Sequence, residues 1–352
     1  MAEFIVWNLQ EDVQKYKKYV ENCINKTPYH LTEYLLAEEK AEDGYTKIFL
    51  CIDGENFAMF PGVIRRIKSL SYMSDLDEEL YDMITPHEYS GIIANNNVEL
   101  LKQILLENII CFCQENKIIY QFHRINPFMK ELPEIYEKAG FDVIHSNYQV
   151  YVNLEQTKEQ IESGYKSNVR RNVKRAIREG LQFEISEKSK ENIAIFQTMY
   201  QKAMEILEAK HFLYFNERYF QEIIKCSCSR LCLIRSRDDK VIAASIMLVH
   251  ENVVYYHLGC FDRSYVLQRP MNYLMHSMIM WSKQEGYKVF HLGGGGKSLM
   301  RFKEGYSNTR IDYYIANKIC AQDYYQRVCE NWEKKFPQYA DEIFYPHYRY
   351  NE

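Results

Sequence analysis

The sequence predicts a mixed α/β protein of two tandem domains built to one design. Three observations predict it: a length too great for one core, strand patterns that alternate with helix patterns, and a faint internal repeat. At 352 residues the chain fits two domains of roughly 150 to 180 residues each. Its 47% hydrophobic and 26% charged residues are a globular composition, and 14 Gly with 8 Pro leave little material for disordered linkers. An ordered chain is therefore expected throughout.

The repeat appears when residues 46–124 are laid against residues 230–294. The first segment has a strand pattern from Lys47 to Asp53, a turn at Gly54-Glu-Asn and a second apolar run ending near Ile67. The second has Arg230 to Arg235, a turn at Arg237-Asp-Asp, then Val241 to Val249. Each half continues into a helix-length apolar pattern, Val98 to Glu115 in one and Pro270 to Glu285 in the other. A β-rich segment follows each helix, ending at His123 and at His291.

Between the halves, Phe141 to Leu154 alternates like a strand, and Glu155 to Gly180 reads as one or two helices closed by Gly180. The domains are accordingly expected at 1–153 and 154–352, with C-terminal helices from about residue 321 able to pack back on the first domain. Helices at Glu191 to Ala209 and Asn216 to Lys225, and a last strand at Arg310 to Ala316, complete the second half.

Composition excludes several classes. A net charge of −4 argues against general nucleic-acid coating, which needs many cations to displace phosphate counterions. The N-terminus carries Glu3 where a secretory signal has basic residues, so a cytoplasmic location is expected. The longest apolar stretch, Ile104 to Cys113, includes Glu107 and falls far short of the roughly 20 residues a bilayer demands. The ten cysteines are irregularly spaced and read as reduced core residues; Cys226, Cys228 and Cys232 lack a second paired ligand set, so no metal is expected.

Two strings carry chemistry. Lys166, Arg170, Lys174 and Arg178 form an i, i+4 stripe with Arg171 and Arg175 beside it and no acid among them. Such a face is either solvated and balanced by acids elsewhere or grips an anion, since guanidinium groups hold phosphate bidentately. His291-Leu-Gly-Gly-Gly-Gly296, followed by Lys297 to Lys303, is the more specific string. A strand that ends in four glycines and turns into a short helix leaves main-chain N–H groups able to approach an anion or a developing oxyanion. Lys303 would bring positive charge to the same point, while His257, His291 and Tyr306 are candidate proton donors or acceptors.

The run Phe290 to Gly296, then Leu299-Met-Arg-Phe-Lys-Glu-Gly-Tyr-Ser307, then the alternating strand from Ile311, resembles the C-terminal signature of the Fem-type and CelD (BioF2-like) branch of GNAT acyltransferases. Tyr165 to Gly180 is similar to the basic helix that opens the second domain of that family. Asp82 to Gly91 is similar to an Asp…Thr-Pro loop in the first domain of its polysaccharide-cluster members.

The resemblance implies two GNAT-like folds and an acyl- or aminoacyl-transferase that forms an amide on an amino group of a cell-envelope precursor: an amino sugar, a sugar nucleotide or a peptidoglycan peptide. Transfer would be direct, with acyl-CoA or aminoacyl-tRNA as co-substrate and no tightly bound cofactor. The family's Phe-Lys pair falls on Phe302 and Lys303, with Tyr306 and His291 beside it. Gly293, Gly294, Gly295 and Gly296, with Arg269 and Asn272, would face the donor and the oxyanion. Arg170, Arg171, Lys174, Lys210 and Tyr256 would contact acceptor or phosphate.

One departure matters. Acetyl-CoA-using members carry a Gln/Arg-x-x-Gly-x-Gly/Ala loop at a helix start, where this chain reads Leu267-Gln-Arg-Pro-Met-Asn272 without the glycines. Arg269 and Pro270 still suit an anion site at that helix start. Two alternatives therefore stand beside the leading reading: an acetyl-CoA-dependent N-acetyltransferase of polysaccharide biosynthesis, and a non-catalytic module that binds a sugar nucleotide or RNA.

Overall fold

The computed structural model describes residues 2–42, 44–209 and 213–350, apart from the side chains of residues 40–42. The chain divides into two compact units, unit 1 comprising residues 1–146 with 313–352, and unit 2 comprising residues 147–312. The sequence boundary near residue 153 falls at the end of a strand that belongs mostly to neither half alone: it enters at Asp142 and leaves at Asn153.

Unit 1 opens with β1 (Glu3–Asn8), α1 (Val13–Asn22) and α2 (Thr32–Glu42), then β2 (Gly44–Asp53), β3 (Asn56–Arg66), β4 (Tyr81–Ile84) and β5 (Ile93–Ala94). It continues through α3 (Glu99–Glu115), β6 (Ile118–Arg124), α4 (Leu132–Lys138) and the start of β7 (Asp142–Asn153). Its sheet runs β1-β2-β3-β4-β6, antiparallel except for the parallel pair β4 and β6. That pair is joined through α3, because parallel neighbours need a long crossover. Leu105, Leu106, Ile109 and Cys113 of α3 pack into the main core with Phe49, Phe60 and Met83.

Unit 2 contains α5 (Lys158–Gly164), α6 (Ser167–Arg178), β8 (Gln182–Ser186), α7 (Lys190–Ile206), α8 (Glu217–Lys225), β9 (Ser229–Arg235), β10 (Val241–His250) and β11 (Val253–Phe261). Then come α9 (Pro270–Gln284), β12 (Val289–Gly293) and α10 (Lys297–Lys303). The sheet order is β7-β12-β11-β10-β9-β8, antiparallel except for β11 and β12, which α9 joins. The helix starts are written locally. Ser189 and Asn216 accept from the N–H groups of Asn192 and Tyr219, and Pro270 occupies the first turn of α9. Gly180 closes α6 in the left-handed region, at φ 77°.

The chain ends with β13 (Arg310–Ile319) and α11 (Gln322–Lys335). Residues Ile315 to Ile319 of β13 pair antiparallel with β6, so α11 lies in unit 1, where Val328 and Trp332 join a second core with Ile67 and Tyr348. The repeat read from sequence is thus a repeated topology: β2-β3-β4-α3-β6 in unit 1 and β9-β10-β11-α9-β12 in unit 2 share the order antiparallel, antiparallel, parallel. Among the described residues no helix is long and apolar enough to cross a membrane.

Candidate functional site

In unit 2 the parallel strands β11 and β12 pair only at Val253 with Val289, Val254 with Phe290 and Tyr255 with His291. Beyond that point β12 bends at Gly293, with φ 75°, while β11 runs on to Phe261, and the two strands part. Tyr256 is the first residue of β11 past the last pair. Its half-buried ring lies along its own strand over Gly259, since a Cβ placed on Gly259 would fall 2.3 Å from the Tyr256 hydroxyl oxygen.

The glycine run fills the mouth of this split. Gly293 is buried, Gly294 half-buried, and Gly295 and Gly296 are exposed. Gly295 has φ 139°, a conformation that side chains disfavour. Gly296 then caps α10, whose first N–H groups have no partner within the helix.

Lys303, at the other end of α10, turns back under the loop. It is 5% exposed, its Nζ donates to the Gly294 carbonyl oxygen at 2.5 Å, and it lies 5.5 Å from the centre of the Tyr256 ring. A buried ammonium needs such partners, and a carbonyl oxygen and a π face supply them. The bond also sets the direction of the loop. In a trans peptide the C=O and N–H point in opposite directions, so an ammonium that draws the Gly294 carbonyl toward itself turns the Gly295 N–H away. Lys303 and the Gly295 N–H therefore flank the bend on opposite sides.

Tyr306 lies close behind. Its ring packs edge-on against Phe302 and Tyr165, and its hydroxyl accepts from Asn272 Nδ2 at 3.0 Å and donates to the Asn272 carbonyl at 3.2 Å. Burial raises the Tyr306 pKa well above the ordinary tyrosine value, so the hydroxyl keeps its proton. Asn272 is in the first turn of α9 and also accepts from Asn172 of α6 at 3.1 Å. Arg269 precedes that turn at φ 63°, and its buried Nε has no hydrogen-bond partner among the described residues.

A family model for an acetyltransferase (GNAT) domain matches residues 163–304, a span that holds the parted strands, the glycine run and Lys303. These residues are a GNAT domain. The fold agrees with the crystal structure of FemX at a TM-score of 0.68 and 12% identity, over 92% of this chain and 99% of that one. L-PGS from Bacillus licheniformis gives 0.58 at 15% identity, over 86% and 90%. A tandem GNAT protein from the clavulanic acid biosynthesis pathway gives 0.50 at 6%, over 91% and 99%. Identities this low speak for the fold, and the fold is two GNAT-like domains in tandem. Among curated proteins no sequence matches. The GNAT domain makes the chain an acyltransferase.

Within the GNAT domain the expected residues separate into two groups. Lys303, Phe302, Tyr306, Tyr256, Asn272 and the glycines come together around the strand split. His291 does not face outward with them: it is 1% exposed, packed edge-on against Tyr255. Arg170 is turned to the C-terminal end of α5, where it donates to the carbonyls of Ser163 and Tyr165. Arg171 and Lys174 are exposed on α6. Lys166 faces Glu304 at 3.8 Å and Arg175 faces Glu179 at 3.7 Å, so acids partly balance the basic stripe. Lys210 lies outside the described residues.

Sequence reasoning missed four residues of this neighbourhood. Gln149 of β7 is 3% exposed, lies against Gly294, and its Oε1 has no partner among the described residues. Tyr148 donates to Glu304 at 2.5 Å, and Glu304 also accepts from Arg310 at 2.6 Å. The Tyr148 hydrogen bond, ahead of the neighbouring cations, holds the Glu304 carboxyl below the usual range.

Proposed function

We propose that the GNAT domain transfers an acyl or aminoacyl group directly to the amino group of a cell-envelope precursor, an amino sugar, a sugar nucleotide or a peptidoglycan peptide. The observation that carries the reading is the Lys303 to Gly294 bond, which turns the Gly295 N–H of the exposed bend away from the ammonium. In this reading that N–H receives the oxygen that becomes negative when an amine adds to a carbonyl.

The chemistry needs little else. The neutral amine nitrogen adds to the carbonyl carbon of a thioester or ester, the C–S or C–O bond breaks, and the leaving group takes a proton as the new ammonium loses one. Tyr306, whose buried hydroxyl donates to the Asn272 carbonyl, holds the start of α9 against α10, and the leaving group takes its proton from solvent. Lys303 acts through the loop as a positioning residue. Arg269 at the start of α9 would hold the donor's phosphates, and its buried, unpartnered Nε is what favours acyl-CoA as donor, within an acetyl-CoA-dependent form of the same reaction.

A matrix assay tests the reading. Purified protein is incubated with acetyl-CoA or with aminoacyl-tRNA against UDP-glucosamine, UDP-linked muramoyl peptide and free glucosamine, and products are weighed by mass spectrometry. An acceptor heavier by one acyl or aminoacyl group, with the donor released in equal amount, supports transfer. Saturable acceptor binding without any product across the matrix would instead support the binding module.

A further inference from the structure

Unit 1 holds a cavity of about 510 Å³ between the C-terminal segment and the sheet, lined by residues of β6, β7, β13, α11 and residues 340–347. Its volume falls within the range of small-molecule sites, roughly 300 to 1,000 Å³. Its charge is one-sided. Asp142, Asp341 and Glu342 line it, no Lys or Arg does, and Asp142 and Asp341 are exposed with no ion pair among the described residues.

The inner wall is aromatic and aliphatic, including Tyr120, Tyr325, Tyr345 and Ile319, with Tyr120 stacked on Tyr325 at 5.1 Å. A second, independent feature lies there. Asn317 is 5% exposed and accepts at Oδ1 from the Tyr120 hydroxyl at 2.7 Å, but its Nδ2 has no hydrogen-bond partner among the described residues. An orphaned buried donor costs free energy unless something in the cavity accepts from it.

We propose that this cavity binds a small organic ammonium with an oxygen acceptor beside its nitrogen, the chemistry shared by an amino sugar and an amino alcohol. The carboxylates take the positive nitrogen, the aromatic wall takes the carbon frame, and Asn317 Nδ2 donates to the oxygen. The site belongs to unit 1 and stands whether or not the GNAT domain acts on an amine.

Calorimetric titration of the full chain tests it with D-glucosamine, ethanolamine, N-acetylglucosamine and propylamine. Saturable heat is expected with D-glucosamine or ethanolamine, and which of the two binds tighter identifies the source. N-acetylglucosamine, which lacks the charge, and propylamine, which lacks the oxygen, should bind about tenfold more weakly or not at all. The double variant Asp142→Asn with Asp341→Asn, at exposed positions that leave the core intact, should weaken binding by about tenfold. Asn317→Ser should erase the preference over propylamine. No saturable heat with either amine, equal binding of N-acetylglucosamine, or unchanged affinity in a double variant that melts like the parent would each overturn the proposal.

Discussion

Lys303 reaches back along α10 to hold the carbonyl of Gly294, and in doing so determines which way the exposed glycine bend faces. The sequence places an ammonium near the bend, but not on which side of it. The bond puts the cation beneath the loop, on the carbonyl side, and leaves the N–H side open. The Gly295 N–H and the charge that orients it thus lie on opposite sides of the bend.

Gly295 tests the bend itself. Its φ of 139° suits glycine alone, and an added Cβ would come within 2.7 Å of Leu299 Cδ2. Leu299 is 42% exposed and free to shift, so the strain of about 1–3 kcal/mol falls mainly on the backbone of the loop. Gly295→Ala should lower kcat by tenfold or more, with a melting temperature only a few degrees below the parent. Unchanged kcat would show that the bend does not need its present shape.

Arg269 separates donor binding from chemistry. With its Nε unpartnered at the start of α9, Arg269→Gln should raise the KM for a phosphate-bearing donor by about tenfold and leave kcat nearly unchanged. Steady-state kinetics against donor concentration give both values. A fall in kcat at constant KM would move Arg269 out of donor binding.

Asp82 tests how the C-terminal segment is secured in unit 1. Its carboxylate is fully buried, accepting from Arg65 at 2.8 Å, from Arg349 at 2.5 Å and from the Tyr348 hydroxyl at 3.0 Å. Burial alone would raise its pKa, but Arg349 and then Arg65 outweigh that and hold it below the usual value. Its folded-state pKa being depressed, the stabilisation is complete above the unfolded value of about 4 and is lost as pH falls through the lower folded value. Asp82→Asn leaves two buried guanidiniums without a carboxylate and should cost about 3–5 kcal/mol in urea denaturation at pH 7, with a smaller loss of stability on acidification than the parent shows. Equal stability at pH 7 would show that the ion cluster does not secure the segment.

Much of the fold was legible because its signals are local. The pattern from Val98 to Glu115 became α3 at Glu99–Glu115, and that from Pro270 became α9 at Pro270–Gln284. The pattern from Val241 to Val249 became β10, and Glu155 to Gly180 became α5 and α6. The glycine run with Lys303 was visible for the same reason, since strand end, bend and helix are consecutive. What stayed hidden depends on pairing between distant segments. Gln149 reaches Gly294 only because β7 pairs with β12, Arg170 is diverted by carbonyls at the end of the preceding helix, and His291 is buried because β12, between β7 and β11, is covered on both faces. No spacing in the sequence announces these partners.

The rate of amide formation in Lys303→Met bears most directly on the role given to the bend. Methionine keeps much of the buried volume and removes the donor to Gly294, so the fold should survive while the loop loses its anchor. Single-turnover transfer, followed by mass spectrometry with saturating donor and acceptor, should slow by about 10²-fold in a variant whose melting temperature stays near the parent's. Transfer at the parental rate in that folded variant would contradict the account.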